Sequence, residues 1–338
     1  MTDGVLLMAI NEIPCLRWNE KLALLYRVAD TGALCALSPA DIQDMGGRRL
    51  RNLDWKTEEI VRGAESLFEI ASARKIRLLP YNDSAYPRRL REIEDPPFLL
   101  FCRGQVPSWE GDFLAVVGTR RPSAAGRRAA WEFAAGAAAD GICVVSGLAQ
   151  GVDGEAHRGC LEAHGTTIAV LGNGADTVYP ASHRTLASRI LDSGGLLITE
   201  YAPRAGVQKH YFPARNRIIS GLSRAVLVVE APAKSGALIT AACALKQGRG
   251  LYVPASGICG INPDGCRALA TDGACVVKSC ADIIRLWGGE SKAAPVFQAQ
   301  GNTRPSSPGK AQALFLEEEL TGNLTRHQGN YFRRTHNG

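Results

Sequence analysis

Short apolar stretches alternate with longer segments of helical periodicity over residues 113–287, and this alternation constrains the fold more than any other feature of the chain. The apolar stretches are rich in β-branched residues, as in strands whose two faces are both covered. Strand–helix repetition of this kind predicts a doubly wound α/β domain with a mainly parallel sheet. The predicted strands are 113–118, 142–147, 166–172, 196–200, 225–230, 251–254 and 274–277, and the predicted helices are 124–140, 152–163, 182–192, 237–247 and 281–287.

The stretch before this domain has a different pattern. Residues 1–77 carry apolar residues at helical spacing, which predicts a small N-terminal helical domain with helices at 22–29, 39–45 and 54–75. Four prolines between residues 78 and 104 prevent long regular elements, so we expect a connector there with one short strand at 98–102. The α/β domain with its connector is therefore placed at residues 78–287.

The stretch after the domain, residues 288–338, has few predicted helices and strands. Residues 288–312 are rich in Gly, Pro, Ser and Gln, which is typical of a flexible linker. Residues 313–338 carry the pattern of one helix, a glycine turn and a hairpin. That is little sequence for a free-standing domain.

Composition excludes several classes of protein. With 46% hydrophobic and 21% charged residues, the chain can bury a sizeable core and is not of the disordered class. The N-terminus lacks a basic region with a cleavage site, and no stretch approaches the ~18 apolar residues that span a bilayer. We therefore expect a cytosolic protein without membrane contact. The net charge of +6 permits nucleic acid or anionic ligands without requiring them.

The cysteines do not predict a metal site. The ten cysteines include no CxxC pair, and the spacing of Cys259, Cys266, Cys275 and Cys280 does not match a zinc knuckle. We expect neither a metal centre nor a disulfide framework, and no cofactor is predicted.

A basic, acid-free segment lies at residues 201–224. It contains the aromatic residues Tyr211 and Phe212 and no Asp or Glu, and its five cations are Arg204, Lys209, Arg215, Arg217 and Arg224. Cations bind phosphates and aromatic faces stack on bases, so the segment favours a strip for an unstructured polyanion. The alternative is a solvated basic loop whose two rings pack for stability.

Three predicted strands end in glycine, in VVGTRRPSAAG, VVSGLAQGVDG and VLGNGAD. Glycine lets backbone N–H groups approach an anion, and the N-terminus of the next helix adds its dipole. The first turn also presents Arg120 and Arg121, but its glycines, Gly118 and Gly126, do not form the GxGxxG pattern of an NAD site. Each turn alone could be ordinary turn chemistry. Together, at one edge of a sheet, they favour phosphate binding.

Two further groups of residues allow a functional and a structural interpretation. Lys234, Ser235 and Gly236 lie between a strand and a helix, short of a Walker motif but suited to an anion. Asp153 and His157 lie one helical turn apart, which would suit a general base. We favour the structural interpretation, in which Asp153 caps its helix and His157 makes an internal hydrogen bond, since no nucleophile motif accompanies them.

These motifs, in this order, resemble the DNA-processing protein A (DprA/Smf) family. The resemblance runs from about residue 78 to residue 284 through VVGTRRPSAAG, VVSGLAQGVDGEAHRGCLEAHGTTIAVLGNGADTVYPASH, LLITEYAP and HYFPARNRIISGLSRAVLVVEAPAKSGALITAACALKQGR. It implies a Rossmann-like core and a cytosolic, dimeric protein without catalytic activity. Such a protein binds single-stranded DNA in natural transformation, shields the incoming strand and loads a RecA-type recombinase.

The resemblance also implies a DNA strip. Its parts would be a Gly-Ser/Thr-Arg turn and a Lys-x-x-Phe segment, here Gly118, Thr119, Arg120, Lys209 and Phe212. We extend the strip to Arg215, Asn216 and Arg217, and to Arg121, Gly147, Lys234, Ser235 and Gly236 on the glycine-rich turns. Phe212 is expected to stack on a base or to fix the strand's path. Tyr211 is expected to face the core, because neighbours in extended chain point oppositely.

The chain departs from the family pattern in two places. The family usually has an Asn followed by a Leu-Ile pair before its last strand, where this chain has Arg267-Ala268-Leu269-Ala270. The C-terminal stretch resembles only the last helix and wing of the winged-helix domain of many members, so we expect a short winged-helix-like remnant.

Two other functions remain open from the sequence. A Rossmann-type nucleotide-binding or nucleotide-processing enzyme could use the same turns, with Glu155 and His157 acting on a mononucleotide. A purely protein-binding adaptor would bind neither nucleotides nor DNA.

Overall fold

The computed structural model describes residues 3–260, 263–291, 324–327 and 330–333. Its main feature is a nine-stranded sheet with the order β1-β2-β6-β5-β4-β3-β7-β8-β9. The strands are β1 (Ile76–Pro80), β2 (Leu99–Gly104), β3 (Phe113–Val117), β4 (Cys143–Ser146), β5 (Thr167–Val170), β6 (Leu196–Thr199), β7 (Ala225–Val228), β8 (Gly250–Pro254) and β9 (Cys275–Val277).

The sheet confirms the doubly wound α/β prediction. All neighbouring pairs from β6 through β3 to β9 are parallel, and only β2 runs in the opposite direction, antiparallel to both of its neighbours, β1 and β6. The chain winds outward from β3 to β6 and then returns to the other side of β3 with β7. The winding direction therefore reverses between β3 and β7, and a crevice opens there at the carboxyl ends of the strands.

Helices cover both faces of the sheet. They are α6 (Arg88–Arg91), α7 (Ala124–Ala139), α8 (Val152–Glu162), α9 (Arg184–Asp192), α10 (Tyr211–Leu222), α11 (Gly236–Lys246), α12 (Ala255–Cys259), α13 (Asp264–Thr271) and α14 (Cys280–Leu286). Helices α7, α8 and α14 pack on one face, and α6, α10 and α11 pack on the other. The sequence pattern did not predict α12 and α13, because both are short and glycine-flanked.

Five helices precede the sheet: α1 (Gly4–Glu12), α2 (Trp18–Arg27), α3 (Thr31–Cys35), α4 (Pro39–Gly46) and α5 (Thr57–Ala73). Helix α1 was missed because it is apolar around its circumference and lacks a helical stripe; Leu6 to Ile10 are all buried. These helices share a core with Ile76, Phe98, Leu99 and Phe101 of the sheet edge. Strand β1 also begins before the predicted boundary at residue 77.

The C-terminal stretch is described only in part. Leu324–His327 (β10) and Asn330–Arg333 (β11) pair antiparallel, where the sequence predicts a hairpin. The helix expected before it and most of the expected linker lie outside the described residues.

Candidate nucleic-acid interface

An open groove of about 870 Å³ lies at the carboxyl ends of the strands, beside the point where the winding reverses. The loops after β3, β4, β5, β6 and β7 and the first turns of α10 and α11 form its walls. The sequence placed its glycine turns and its basic segment at this edge, and the fold brings them to one groove. Ligands of doubly wound sheets bind in such crevices.

The groove is positively charged. Arg120, Lys209 and Lys234 line it and are exposed. The acid among its lining residues, Asp153, is buried beneath the surface. The groove therefore presents cations to solvent from three different loops, and it suits an extended anion better than a compact one.

The turn after β3 is a rigid base for Arg120. The Thr119 amide donates a 2.8 Å hydrogen bond to the Glu230 carbonyl, and the Thr119 carbonyl accepts one from Val152 at 3.2 Å. Gly118 lies so close to its neighbours that a Cβ atom there would be 2.6 Å from Val152 Cγ2. These bonds fix the backbone from which the Arg120 side chain extends.

The N-terminus of α7 is occupied by the chain itself. The buried Glu230 carboxylate accepts a 2.6 Å hydrogen bond from Ser123 Oγ and further bonds from the Ser123 amide. Ser123 Oγ in turn accepts from the Gly126 amide at 3.0 Å. The expectation that a phosphate binds at this first helix N-terminus is therefore corrected, because the carboxylate already holds the place of an anion there.

Gly147 and Arg215 have a structural part in the groove. The Arg215 guanidinium is buried and donates to the carbonyl oxygens of Gly147, at 2.7 Å, and Val170. A Cβ atom at Gly147 would overlap this guanidinium. Burial lowers the pKa of Arg215 to about 10, and the buried Asp153 nearby opposes that shift. This placement gives Arg215 a structural role, and its expected contact with a phosphate stays a prediction.

Arg217 is also engaged within the protein. Its guanidinium forms a two-pronged ion pair with Glu200, at 2.6 and 2.7 Å, and contacts Asp95 at 3.2 Å. The carboxylate partners raise its pKa despite burial. Its neighbour Asn216 is buried and donates to the Gly236 carbonyl at 3.3 Å. Arg217 and Asn216 therefore connect α10 to neighbouring elements, and their expected role as contacts to DNA stays a prediction.

Tyr211 and Phe212 separate as expected, but for a different reason. Both lie in the first turn of α10, where neighbouring side chains diverge around the helix, so the expected extended backbone was wrong. Tyr211 stacks on Tyr201 with ring centroids 3.8 Å apart, in a second pocket that also contacts the N-terminal helices. Phe212 lines the groove, with the Arg120 guanidinium 5.4 Å from its ring centroid.

The remaining predicted residues lie at or beside the groove. Ser235 caps α11 by accepting from the Ala237 amide at 3.3 Å, and Lys234 and Gly236 are exposed on the same loop. Arg121 is exposed but does not line the groove.

Sequence reasoning missed Tyr179. This ring is 44% exposed, lines the groove and lies 5.6 Å from the Phe212 centroid. A signal was present, because an aromatic residue precedes a proline just after the third glycine turn in VLGNGADTVYP. Only the fold shows that this loop lies opposite α10.

Residues 77–288 match the sequence profile of a family described as DNA recombination-mediator protein A. The matched stretch makes up more than half of the chain and includes every loop that lines the groove. The chain belongs to the DNA recombination-mediator protein A family.

Proteins of known sequence and structure extend the comparison. Protein Smf from Escherichia coli strain K12 is 41% identical over 207 residues, which are 61% of this chain and 55% of that protein. This chain thus spans about half the length of that relative. The X-ray structure of DNA processing protein A from Streptococcus pneumoniae has a TM-score of 0.68 at 32% identity and covers 84% of this chain and 98% of that one.

A second structure concerns the single-stranded DNA binding mode of DNA processing protein A from Helicobacter pylori. It has a TM-score of 0.57 at 29% identity and covers 63% of this chain and 96% of that one. The two structures confirm the Rossmann-like fold of this member of the recombination-mediator family.

In this family member the acidic and histidine side chains of α8 stabilise the scaffold. His157 is fully buried, and its Nδ1 lies 2.8 Å from Thr167 Oγ1. Burial lowers its pKa to about 3, so the ring is neutral at physiological pH. Asp153 accepts from the Gly147 amide at 3.1 Å, so it fastens the loop before α8 rather than the helix N-terminus. Glu155 pairs with Arg158 at 3.1 Å.

The described part of the chain contains no cluster of three or more side chains suited to a metal ion. All ten cysteines are free thiols. Within the described ranges, no helix has both the length and the apolar character needed to cross a bilayer.

Proposed function

We propose that this chain binds single-stranded DNA in the groove and acts as a recombination mediator. The observation that carries the proposal is the groove itself: Arg120, Lys209 and Lys234 are exposed there, from three separate loops, beside the exposed ring of Tyr179. Cations spaced along an open channel follow a phosphate backbone, and an exposed ring can stack on any base. The related structure from Helicobacter pylori supports the same ligand class.

The rest of the proposed role follows the family. We propose that the protein shields incoming single-stranded DNA during natural transformation, loads a RecA-type recombinase onto it and works as a homodimer in the cytosol. The description of the family as recombination mediators supports the part of this role that concerns recombination, and we propose no catalytic activity.

The nucleotide-enzyme alternative is not favoured by the geometry. The Glu230 carboxylate holds the helix N-terminus where a nucleotide phosphate would bind, and His157 is enclosed in the core. A neutral, buried ring cannot exchange protons with a substrate in the groove. We therefore retain the DNA-binding proposal alone.

Single substitutions of the groove cations test the proposal. We expect Arg120→Ala and Lys209→Ala each to weaken binding to a single-stranded oligo-dT by about fivefold or more, because each removes a phosphate contact. The slope of log K against log salt concentration should fall by about 0.7 for each lost contact. Fluorescence anisotropy across a salt series measures both quantities.

Arg121→Ala is the matched control, since Arg121 is an exposed arginine of the same turn that does not line the groove. It should bind oligo-dT nearly as the unmodified chain does, and all variants should keep the same thermal unfolding midpoint. Unchanged affinity in both groove variants would refute the site.

A further inference from the structure

Phe212 is less exposed to a base than Tyr179 is. It is half-buried and packs over Gly172, where a Cβ atom would lie 3.0 Å from Phe212 Cδ1. Tyr179 flanks the ring at 5.6 Å and the Arg120 guanidinium lies 5.4 Å from its centroid. The Phe212 ring therefore already packs against three residues of the protein.

The Arg120 guanidinium lies over this ring. Among the described residues Arg120 forms no ion pair, and its guanidinium makes no hydrogen bond; its side chain contacts the Phe212 ring. A cation over an aromatic face is held by the ring quadrupole while its N–H donors stay free. The ring therefore fixes the guanidinium without consuming the donors that a phosphate needs.

Tyr179 differs from Phe212 in these respects. Its ring is 44% exposed, and no cation lies over it in the described structure. It borders both the groove and a smaller side pocket of about 80 Å³ that also contains Gln150 and Pro180. An exposed ring on the wall of a basic groove is suited to stack on a base.

We propose that the two rings divide the contacts to single-stranded DNA: Phe212 positions Arg120 for a phosphate, and Tyr179 stacks on a base. This inference rests on the proposed function and changes the expected role of Phe212, which the sequence assigned to base stacking. In this arrangement Phe212 acts through Arg120, and Tyr179 touches the ligand.

A double-mutant cycle tests the role of Phe212. Phe212→Leu should weaken oligo-dT binding by about threefold or more and lower the salt slope by about 0.7, because the Arg120 contact is lost. The same substitution in an Arg120→Ala background should change affinity by less than about twofold, because the effects of two substitutions on binding free energy are not additive when the residues are coupled. Additive losses, or a Phe212→Leu loss that leaves the salt slope unchanged, would overturn the positioning role.

An abasic oligomer of equal length tests the role of Tyr179. Tyr179→Leu should weaken binding to oligo-dT by about fivefold or more and leave binding to the abasic strand and the salt slope unchanged. Tyr179→Phe keeps the ring and should bind oligo-dT as the unmodified chain does. Equal losses with both oligomers, or a loss in Tyr179→Phe as large as in Tyr179→Leu, would overturn the stacking role.

The two proposals fail differently. If the unmodified chain does not bind oligo-dT, the proposed function fails. If it binds, and Arg120→Ala weakens binding while Tyr179→Leu and Phe212→Leu do not, only the division between the rings fails. Thermal unfolding of each variant shows whether it is folded, and Tyr179→Phe and Arg120→Ala alter no buried contact.

Discussion

At the scale of single residues, glycines in this groove make room for side chains. Gly147 admits the Arg215 guanidinium, and Gly172 admits the Phe212 ring. In both cases a residue from the basic segment fills the space that a Cβ atom would take. These two motif glycines therefore serve the packing beneath the groove, and in the binding mode that we propose the phosphates contact the exposed cations.

Gly147→Ala should accordingly destabilise the protein. We expect a loss of about 1–3 kcal/mol in the free energy of unfolding, because the added methyl group displaces a buried, hydrogen-bonded guanidinium. Urea unfolding measures the loss.

Gly63→Ala is the control for this substitution. Gly63 lies within α5 with no atom near the position of an added Cβ, so alanine should stabilise the protein by about 0.5–1 kcal/mol. A Gly147→Ala variant as stable as the unmodified chain would contradict the packing of Arg215 against this glycine.

At the scale of elements, polar side chains of the protein already occupy the N-termini of α7, α8 and α11 at the groove. Ser123 and Glu230 satisfy α7, and Ser235 satisfies α11. Helix α8 carries Asp153 and Glu155 in its first turn. These groups offset the positive ends of the three helix dipoles, so the DNA binding that we propose rests on side chains rather than on the N-termini of these helices.

Removal of the Glu230 carboxylate tests this view. We expect Glu230→Ala to lower the free energy of unfolding by about 1–3 kcal/mol, because the Ser123 donors lose their buried acceptor. Inorganic phosphate should then raise the melting temperature of the variant more than that of the unmodified chain. Differential scanning fluorimetry with a phosphate series measures the effect.

Glu155→Ala serves for comparison, since Glu155 is a more exposed acid of the same edge in a pair with Arg158. Loss of this ion pair should lower the free energy of unfolding by no more than about 1 kcal/mol. An equal response to phosphate in all three proteins would argue against the carboxylate as the occupant of an anion site.

At the scale of the whole molecule, the N-terminal helices and the sheet share a core. Along β2, Leu99 and Phe101 face the helices while Leu100 and Cys102 face the opposite core, so both faces of this edge strand are buried. The N-terminal helices therefore cover a face of β1 and β2, as α7 to α14 cover the other strands.

A chain of residues 76–291 should be less stable than a chain of residues 1–291. Removal of the five helices exposes Ile76, Phe98, Leu99 and Phe101, which are at most 5% exposed in the intact protein. We expect a loss of several kcal/mol at about 25 cal/mol per Å² of apolar surface, or aggregation of the truncated chain. Equal unfolding free energies would mean that the helices fold as an independent unit.

An element of this fold could be predicted where the interactions that form it join residues close in sequence. Strands β3 to β9 and helices α7, α8 and α11 were expected within a few residues of their bounds, because their apolar runs and glycine stops act locally. Helix α1 was not expected, because its apolar residues surround the helix and form no stripe with helical spacing. Pro213 lies within the first turn of α10, where a proline is tolerated, so the pattern there did not reveal where the helix begins.

The sequence by itself determined the fold class, the family and the loops that meet at one edge of the sheet, since strand direction alone brings carboxyl ends together. Only the tertiary structure decided which cations stay free. Arg215 and Arg217 match the basic pattern as well as Arg120 and Lys209 do, yet one is buried against carbonyl oxygens and the other is paired with Glu200. Their partners lie far away in sequence, and a charge pattern records the cations without the distant groups that engage them.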